Sequence, residues 1–510
     1  MTKSSRVEDP ELAHRERVIS SLAAIAFVAL VATAGFADYL SSWLPRIGGY
    51  PAGAILRDGV AAAFIVLAVL VLIWQPLGRQ GATATASLPV VARFAIVPFA
   101  LFATWVLVLV PISPALVPAI LGARNLLLYV LVGFATYALV SRRALRSGVV
   151  LGVFTAFGFI AASLGILDTL TNGDLVVALG YRRDYSGVTG SENRLIAGAS
   201  ALFEGYVRAS GGISNALVFG YLMAAIAVFG TWMLDRAVRQ SGWRSIGGAV
   251  YLALAILATM ACIESLTRGA IVALAVGQLT LVVVRRRRPI AVGALTAVGV
   301  ALLLTWATQG GLSNNPSGGA VPIQAAQGSQ TPASSQPDDS DILGTLGTRI
   351  TSGDPSSQES SSLRLDQFRR GLESLRARPM GNGLGSEGSA STRAPTPGAD
   401  LTPDVFVMIV ALQTGIVGAV LYGLLLAATI FGAVRRSTEG RDLVLAMVGI
   451  FGIAAVLSSS PDAPVLATTI WILILAVSAS TVFEGHREGV SPASTETDLI
   501  DEPGAGLATT

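Results

Sequence analysis

Apolar residues run along this chain in stretches of roughly 17–25, separated by short polar connectors. At a rise of 1.5 Å per residue, each stretch crosses the roughly 30 Å hydrocarbon core of a bilayer. Spans are predicted near 18–37, 59–75, 94–110, 125–141, 148–167, 215–234, 246–263, 269–284, 289–307, 404–431, 443–460 and 464–482, about twelve in all. The first follows a long charged segment without a small-residue cleavage site, so it is read as a retained span rather than a removed signal peptide. The expected fold is therefore all-α, a polytopic membrane helix bundle. A tail over 1–17 precedes helices one to nine (18–307). An outer loop over 308–403 precedes helices ten to twelve (404–482), and 483–510 forms a disordered tail.

Composition agrees with this pattern. The chain has 510 residues, 52% of them hydrophobic and only 13% charged, with mean hydropathy +0.65. No soluble domain needs that balance.

Charge fixes the expected orientation. The connectors SRRALRS (141–147), DRAVRQSGWR (235–244), RRRR (285–288) and RRSTEGR (435–441) alternate so as to share one side. Lys3, Arg6, Arg15 and Arg17 fall there too. Positive connectors stay cytoplasmic, so both termini are expected inside and the protein in the plasma (inner) membrane. With those arginines assigned to topology, the net charge of +3 gives no reason to expect a nucleic-acid partner. Cys262 stands alone, which excludes an intrachain disulfide. Both histidines, His14 and His486, fall in cytoplasmic tails, so neither serves the outer face as base or metal ligand.

Two outer segments carry the candidate chemistry. Residues 308–362 are rich in Ser, Gln, Gly, Pro and Asp and are predicted disordered. From 363 to 385 the composition changes. Leu365, Phe368, Leu372 and Leu375 fall on one helical face, Pro379 stops that helix, and Gly381, Gly383 and Gly385 predict a flexible turn. An amphipathic helix on the membrane surface accounts for the same pattern without any site. The earlier outer segment ends YVRASGGISNALVFGYL (206–222), where Arg208 precedes a Gly-Gly turn and Asn215 is placed to cap the next helix. A headgroup anchor is the ordinary alternative for such an arginine.

Arg268 opens a short span. Sixteen residues, about 24 Å of helix, separate it from Arg285. With 285–288 held inside, Arg268 falls at or just below the outer border, facing protein or a wet cavity. Glu264, four residues earlier, offers an ion pair as the alternative account of its charge.

Taken together, these residues resemble the O-antigen ligase and polymerase group of membrane glycosyltransferases. That group carries about twelve spans and a large outer loop late in the chain. Its Ser/Thr-Arg-Gly-Ala signature is similar to TRGA (267–270). Its loop arginine, aromatic and Pro-x-x-Gly-x-Gly element is similar to Arg364, Phe368 and PMGNGLG (379–385). RASGGISNAL (208–217) is similar to its Arg-x-x-Gly-x-x-x-Asn span opening, and Gly415 and Gly418 to its Gly-x-x-Gly element. The resemblance covers roughly 120–430. Ligases of the group often carry a His-Asn pair where Asp404 and Val405 stand here, so ligase and polymerase both stay open.

The resemblance implies a GT-C-like bundle and transfer of glycan from a polyprenyl-diphosphate-linked donor to a glycan or glycolipid acceptor at the outer face of the lipid bilayer. A diphosphate leaving group suits arginine, whose planar fork binds phosphate bidentately. Arg208, Arg268 and Arg364 are the candidates for it, with Arg124 a weaker one. Asp404 is the candidate base, and Glu264 and Glu387 are reserves. Thr402 and Pro403 read as N-cap and N1 of the following helix, so Asp404 also has a plain role in complementing the helix dipole. No metal or other cofactor is called for. Two other classes remain: a flippase for lipid-linked oligosaccharide, against which stands the lack of mid-span charge, and a non-catalytic scaffold of a cell-wall assembly complex.

Overall fold

The computed structural model describes residues 10–44, 46–47, 50–74, 90–171, 206–213, 215–285, 288–312, 355–388, 405–435 and 440–488, with a few positions between 173 and 203. The protein is all-helical apart from three pairings of two-residue strands. Twelve apolar helices appear among the described residues. They are α1 (Pro10–Trp43), α2 (Ala52–Trp74), α3 (Val90–Ile112), α4 (Leu116–Ser141), α5 (Ser147–Leu170) and α6 (Ala216–Ser241), then α7 (Ile246–Glu264), α8 (Arg268–Arg285) and α9 (Arg288–Leu312). After α10 (Pro355–Ala377), which is amphipathic, come α11 (Phe406–Val434), α12 (Arg441–Leu457) and α13 (Pro464–Glu488). Among the described residues eight helices are long and apolar enough to cross a membrane, and the other four, α8, α9, α12 and α13, are consistent with about twelve spans.

Burial follows sequence character. In α6 the run Val218–Asp235 is buried without interruption, so this helix forms the centre of the bundle. It packs against α7 and α8. Outer helices instead expose an apolar stripe, such as Val66, Val69 and Ile73 on α2, as a lipid-facing helix should. Aromatic contacts join the helices, with Phe406, Tyr422, Phe451 and Trp471 meeting in edge-on pairs across α11, α12 and α13.

Two helices start earlier than the hydrophobic pattern predicts. Helix α2 begins at 52 rather than 59, and α4 at 116 rather than 125. Each added turn holds charge, and those charges meet: Asp58 accepts from Arg57 Nε at 3.0 Å and from Arg124 Nη1 at 2.8 Å. A carboxylate between two guanidiniums lets charged residues stay inside the helical stretch.

Helix α11 is interrupted at Gly415, whose φ of 71° and ψ of −177° lie in a region open essentially only to glycine. The break frees backbone groups, and a neighbouring segment takes them up. Residues 379–388, following α10, form a loop docked into the break.

Candidate functional site

At the bundle end opposite the arginine-rich connectors, three elements are tied together. Asn215 caps α6 as the sequence predicts, its Oδ1 accepting from Leu217 N at 2.8 Å. Just before it, Ala209 N donates to Glu264 O at 3.1 Å, and Ser210 Oγ donates to Asp168 Oδ2 at 3.0 Å. The 208–213 turn is thereby fastened to the ends of α5 and α7.

That fastening aims Arg208. Its Nε donates to Ser265 O at 2.8 Å and its Nη2 to Thr267 Oγ1 at 2.7 Å. Both acceptors lie on the turn between α7 and α8, immediately before Arg268. Burial lowers the Arg208 pKa to about 10, so the guanidinium stays charged at neutral pH. Arg268 is the first residue of α8. The sequence places both arginines outside, and the structure brings them to one turn. Neither is ion-paired among the described residues.

The Glu264–Arg268 ion pair that the spacing allows is not formed. Glu264 is buried and its Oε2 accepts from Thr169 Oγ1 at 2.7 Å. Helix α7 ends at Glu264, and the chain turns through Leu266 at φ 50°, which takes Arg268 off the helical spacing an i,i+4 pair requires.

The docked loop forms the second half of the site. Asn382 N donates to Leu412 O at 2.6 Å, and Ile416 N donates to Pro379 O at 2.9 Å. Gly385 N donates to Gln413 Oε1 at 3.2 Å, and Gln413 Nε2 donates to Glu387 O at 2.7 Å. Leu384 N donates to Ser113 Oγ at 3.0 Å, tying the loop to the α3–α4 turn. Backbone left unpaired in a membrane bundle costs several kcal/mol per group, so these bonds allow the helix break to exist.

The glycines here are not a flexible turn. Gly381, Gly383 and Gly385 have φ of 82°, 93° and 76°, and a methyl group at Gly381 would lie 2.5 Å from Leu412 O. At Gly385 it would run into Pro118 O. Close approach and positive φ explain the glycines.

Glu387 ends the loop with its side chain buried. Oε1 accepts from Asn382 Nδ2 at 3.4 Å, and burial pushes the carboxyl up to about 7. A methyl group at the next residue, Gly388, would lie 2.9 Å from Asp462 Oδ2 and 3.1 Å from Ile409 Cγ2. Asp462 is buried on the short helix Ser460–Asp462 that follows α12. The same turn borders Arg268, since a methyl group at Gly269 would sit 3.5 Å from Leu457, the last residue of α12. It also receives α11, whose Phe406 N donates to Ser458 O at 2.9 Å. Gly269, next to Arg268, therefore packs at the end of α12, and Gly388, next to Glu387, packs on Asp462 five residues further on.

The other candidates are placed as follows. Arg124 is engaged with Asp58. Arg364 lies on α10, with its side chain outside the described residues. Asp404 lies outside them as well. Helix α11 starts at Phe406 with Val405 as its N-cap residue, so Thr402 and Pro403 are not its N-cap and N1. On α10 only Leu375 of the predicted apolar face is buried, beside Gly371, against Met408 and Leu412. Leu365, Phe368 and Leu372 are exposed, because the close contact at Gly371 turns that stripe away from α11. Sequence reasoning missed Asp462 and Gln413. Gln413 is the only side-chain amide in the apolar run of α11, a signal that was available.

Fold and site define a polytopic membrane protein with an arginine pair and buried carboxylates at one end of the bundle. Residues 252–423 match the O-antigen ligase family. An O-antigen polymerase of Salmonella muenchen is 25% identical over 435 residues, covering 83% of this chain and 96% of its own length. The resemblance drawn from TRGA and PMGNGLG is thereby borne out. Glu264, Arg268, Arg364, Glu387 and Asp404 lie within the family match, and Arg124 and Arg208 precede it.

Proposed function

We propose that this protein transfers or polymerises polyprenyl-diphosphate-linked oligosaccharide onto an acceptor glycan hydroxyl at the outer face of the plasma membrane, in surface-polysaccharide assembly. The family match and the polymerase relative support lipid-linked glycan transfer as the class of activity. The observation that carries the reading is the fastening of Arg208 onto the turn that presents Arg268. An arginine fastened to the turn that presents a second one, neither ion-paired among the described residues, suits a diphosphate, whose charge grows as the glycosidic bond breaks. Arg364, on α10, is the third candidate for the same diphosphate. Asp404 and Glu387 are the candidate carboxylates for the acceptor's proton. No metal enters this scheme.

A deletion strain tests the reading. Mass spectrometry of its lipid-linked glycans should show glycan-loaded donor accumulating on the outer leaflet and a shortened or missing surface polymer. Accumulation on the inner leaflet would favour a flippase instead.

A further inference from the structure

We propose that Glu387 takes the proton from the acceptor hydroxyl, an assignment that rests on the transfer reading above. The docked loop fixes its position. Gln413 holds the Glu387 carbonyl and the Gly385 amide, Ser113 holds the Leu384 amide, and Gly388 abuts both Asp462 and Ile409. The backbone is thus positioned from α11, the α3–α4 turn and the 460–462 helix at once.

The carboxyl itself is less well served. Oε1 has the 3.4 Å contact with Asn382, and Oε2 is buried with no partner among the described residues. Ser386 Oγ and Ser460 Oγ, on the two elements that meet here, are likewise buried and unpartnered among the described residues. A structural carboxyl at such a contact would be hydrogen-bonded through both oxygens. A sugar hydroxyl has the chemistry these atoms lack, since it donates to a carboxylate and accepts from a serine.

The charged group facing this corner among the described residues is Asp462. The neighbouring turn of α11 brings Ile409 and Gln413, and the α4 segment on the loop brings Pro118 and Gly122, all uncharged. Burial holds the Glu387 carboxyl near neutral, the range that suits a general base at physiological pH. In the step itself, the acceptor oxygen bonds to the anomeric carbon and the bond from that carbon to the diphosphate oxygen breaks. The electron pair leaves on the diphosphate, against the arginines. The hydroxyl proton moves to Glu387 Oε2 and from there to water.

The test uses full-length protein reconstituted with a polyprenyl-diphosphate glycan donor. Wild-type turnover should rise as pH increases through about 7, because the protonated acid cannot accept a proton. Glu387→Gln should lower kcat by about 10²–10⁴-fold with little change in donor KM, and Glu387→Asp should recover part of the rate on a displaced acid limb. The infrared pH-titration difference between wild type and Glu387→Gln should show a carboxylic-acid band lost near pH 7. Near-wild-type turnover in Glu387→Gln, or no such band in the difference, overturns the proposal while leaving transfer intact. Wild type that forms no product overturns the transfer reading itself.

Discussion

Pro379 O and the amide of Ile416 meet at 2.9 Å across the break in α11. One residue before Ile416, a methyl group at Gly415 would lie 2.5 Å from the same oxygen. The loop that carries Glu387 is therefore joined to the helix that receives it at the break itself.

Gly415→Ala should displace the loop, because both the Gly-only backbone and the close approach are lost. The expected cost is about 2–4 kcal/mol, from backbone strain plus hydrogen bonds broken at the docked loop. Gly423→Ala on the same helix meets nothing within 4 Å and should leave stability unchanged or slightly raised. Thermal unfolding in detergent compares the two. Equal melting temperatures would contradict the docking account.

Arg208→Lys and Arg268→Lys keep the charge and lose the fork. Each should reduce transfer about 10- to 100-fold, the value of one or two hydrogen bonds between charged groups, while the protein still inserts. Glu264→Gln should leave Arg268 function intact, since Glu264 pairs with Thr169. Inactivation by Glu264→Gln at normal expression would return Glu264 to the site.

Asp58→Asn should destabilise the α2–α4 contact by about 1–3 kcal/mol, because it leaves the buried Arg57 without its carboxylate. A melting curve reads this directly. Normal stability with lost transfer would instead place Arg124 among the donor-binding residues.

The spans were legible because apolar run length is a strong signal, and the Arg-Gly-Ala and Gly-rich elements were legible because their order is informative. The early starts of α2 and α4 were hidden by Arg57, Asp58 and Arg124, which read as boundaries until their pairing across helices is seen. The Gly-rich loop read as flexible because its partners, Gln413 and Ser113, lie far away in sequence. Asp462 stayed hidden for the same reason: nothing local shows that Gly388 packs on it. Of the site, the arginines were visible from type and position. Their convergence depends on Ser265 and Thr267, which carry no chemical signal of their own.

Orientation has its own check. In a Cys262→Ser background, cysteines at Ser334 and Ser361 should label with an impermeant thiol reagent in whole cells, and one at Ser241 should not. Labelling at 241 alone would invert the arrangement and put both arginines on the cytoplasmic side.

The most direct measurement follows a polyprenyl-diphosphate glycan donor in proteoliposomes containing the purified protein and an acceptor glycan. The account predicts a lengthened or newly linked glycan together with free polyprenyl diphosphate, both strongly reduced by Arg268→Lys. Donor that moves between leaflets with its glycosidic bond intact, at the same rate in wild type and Arg268→Lys, would contradict it.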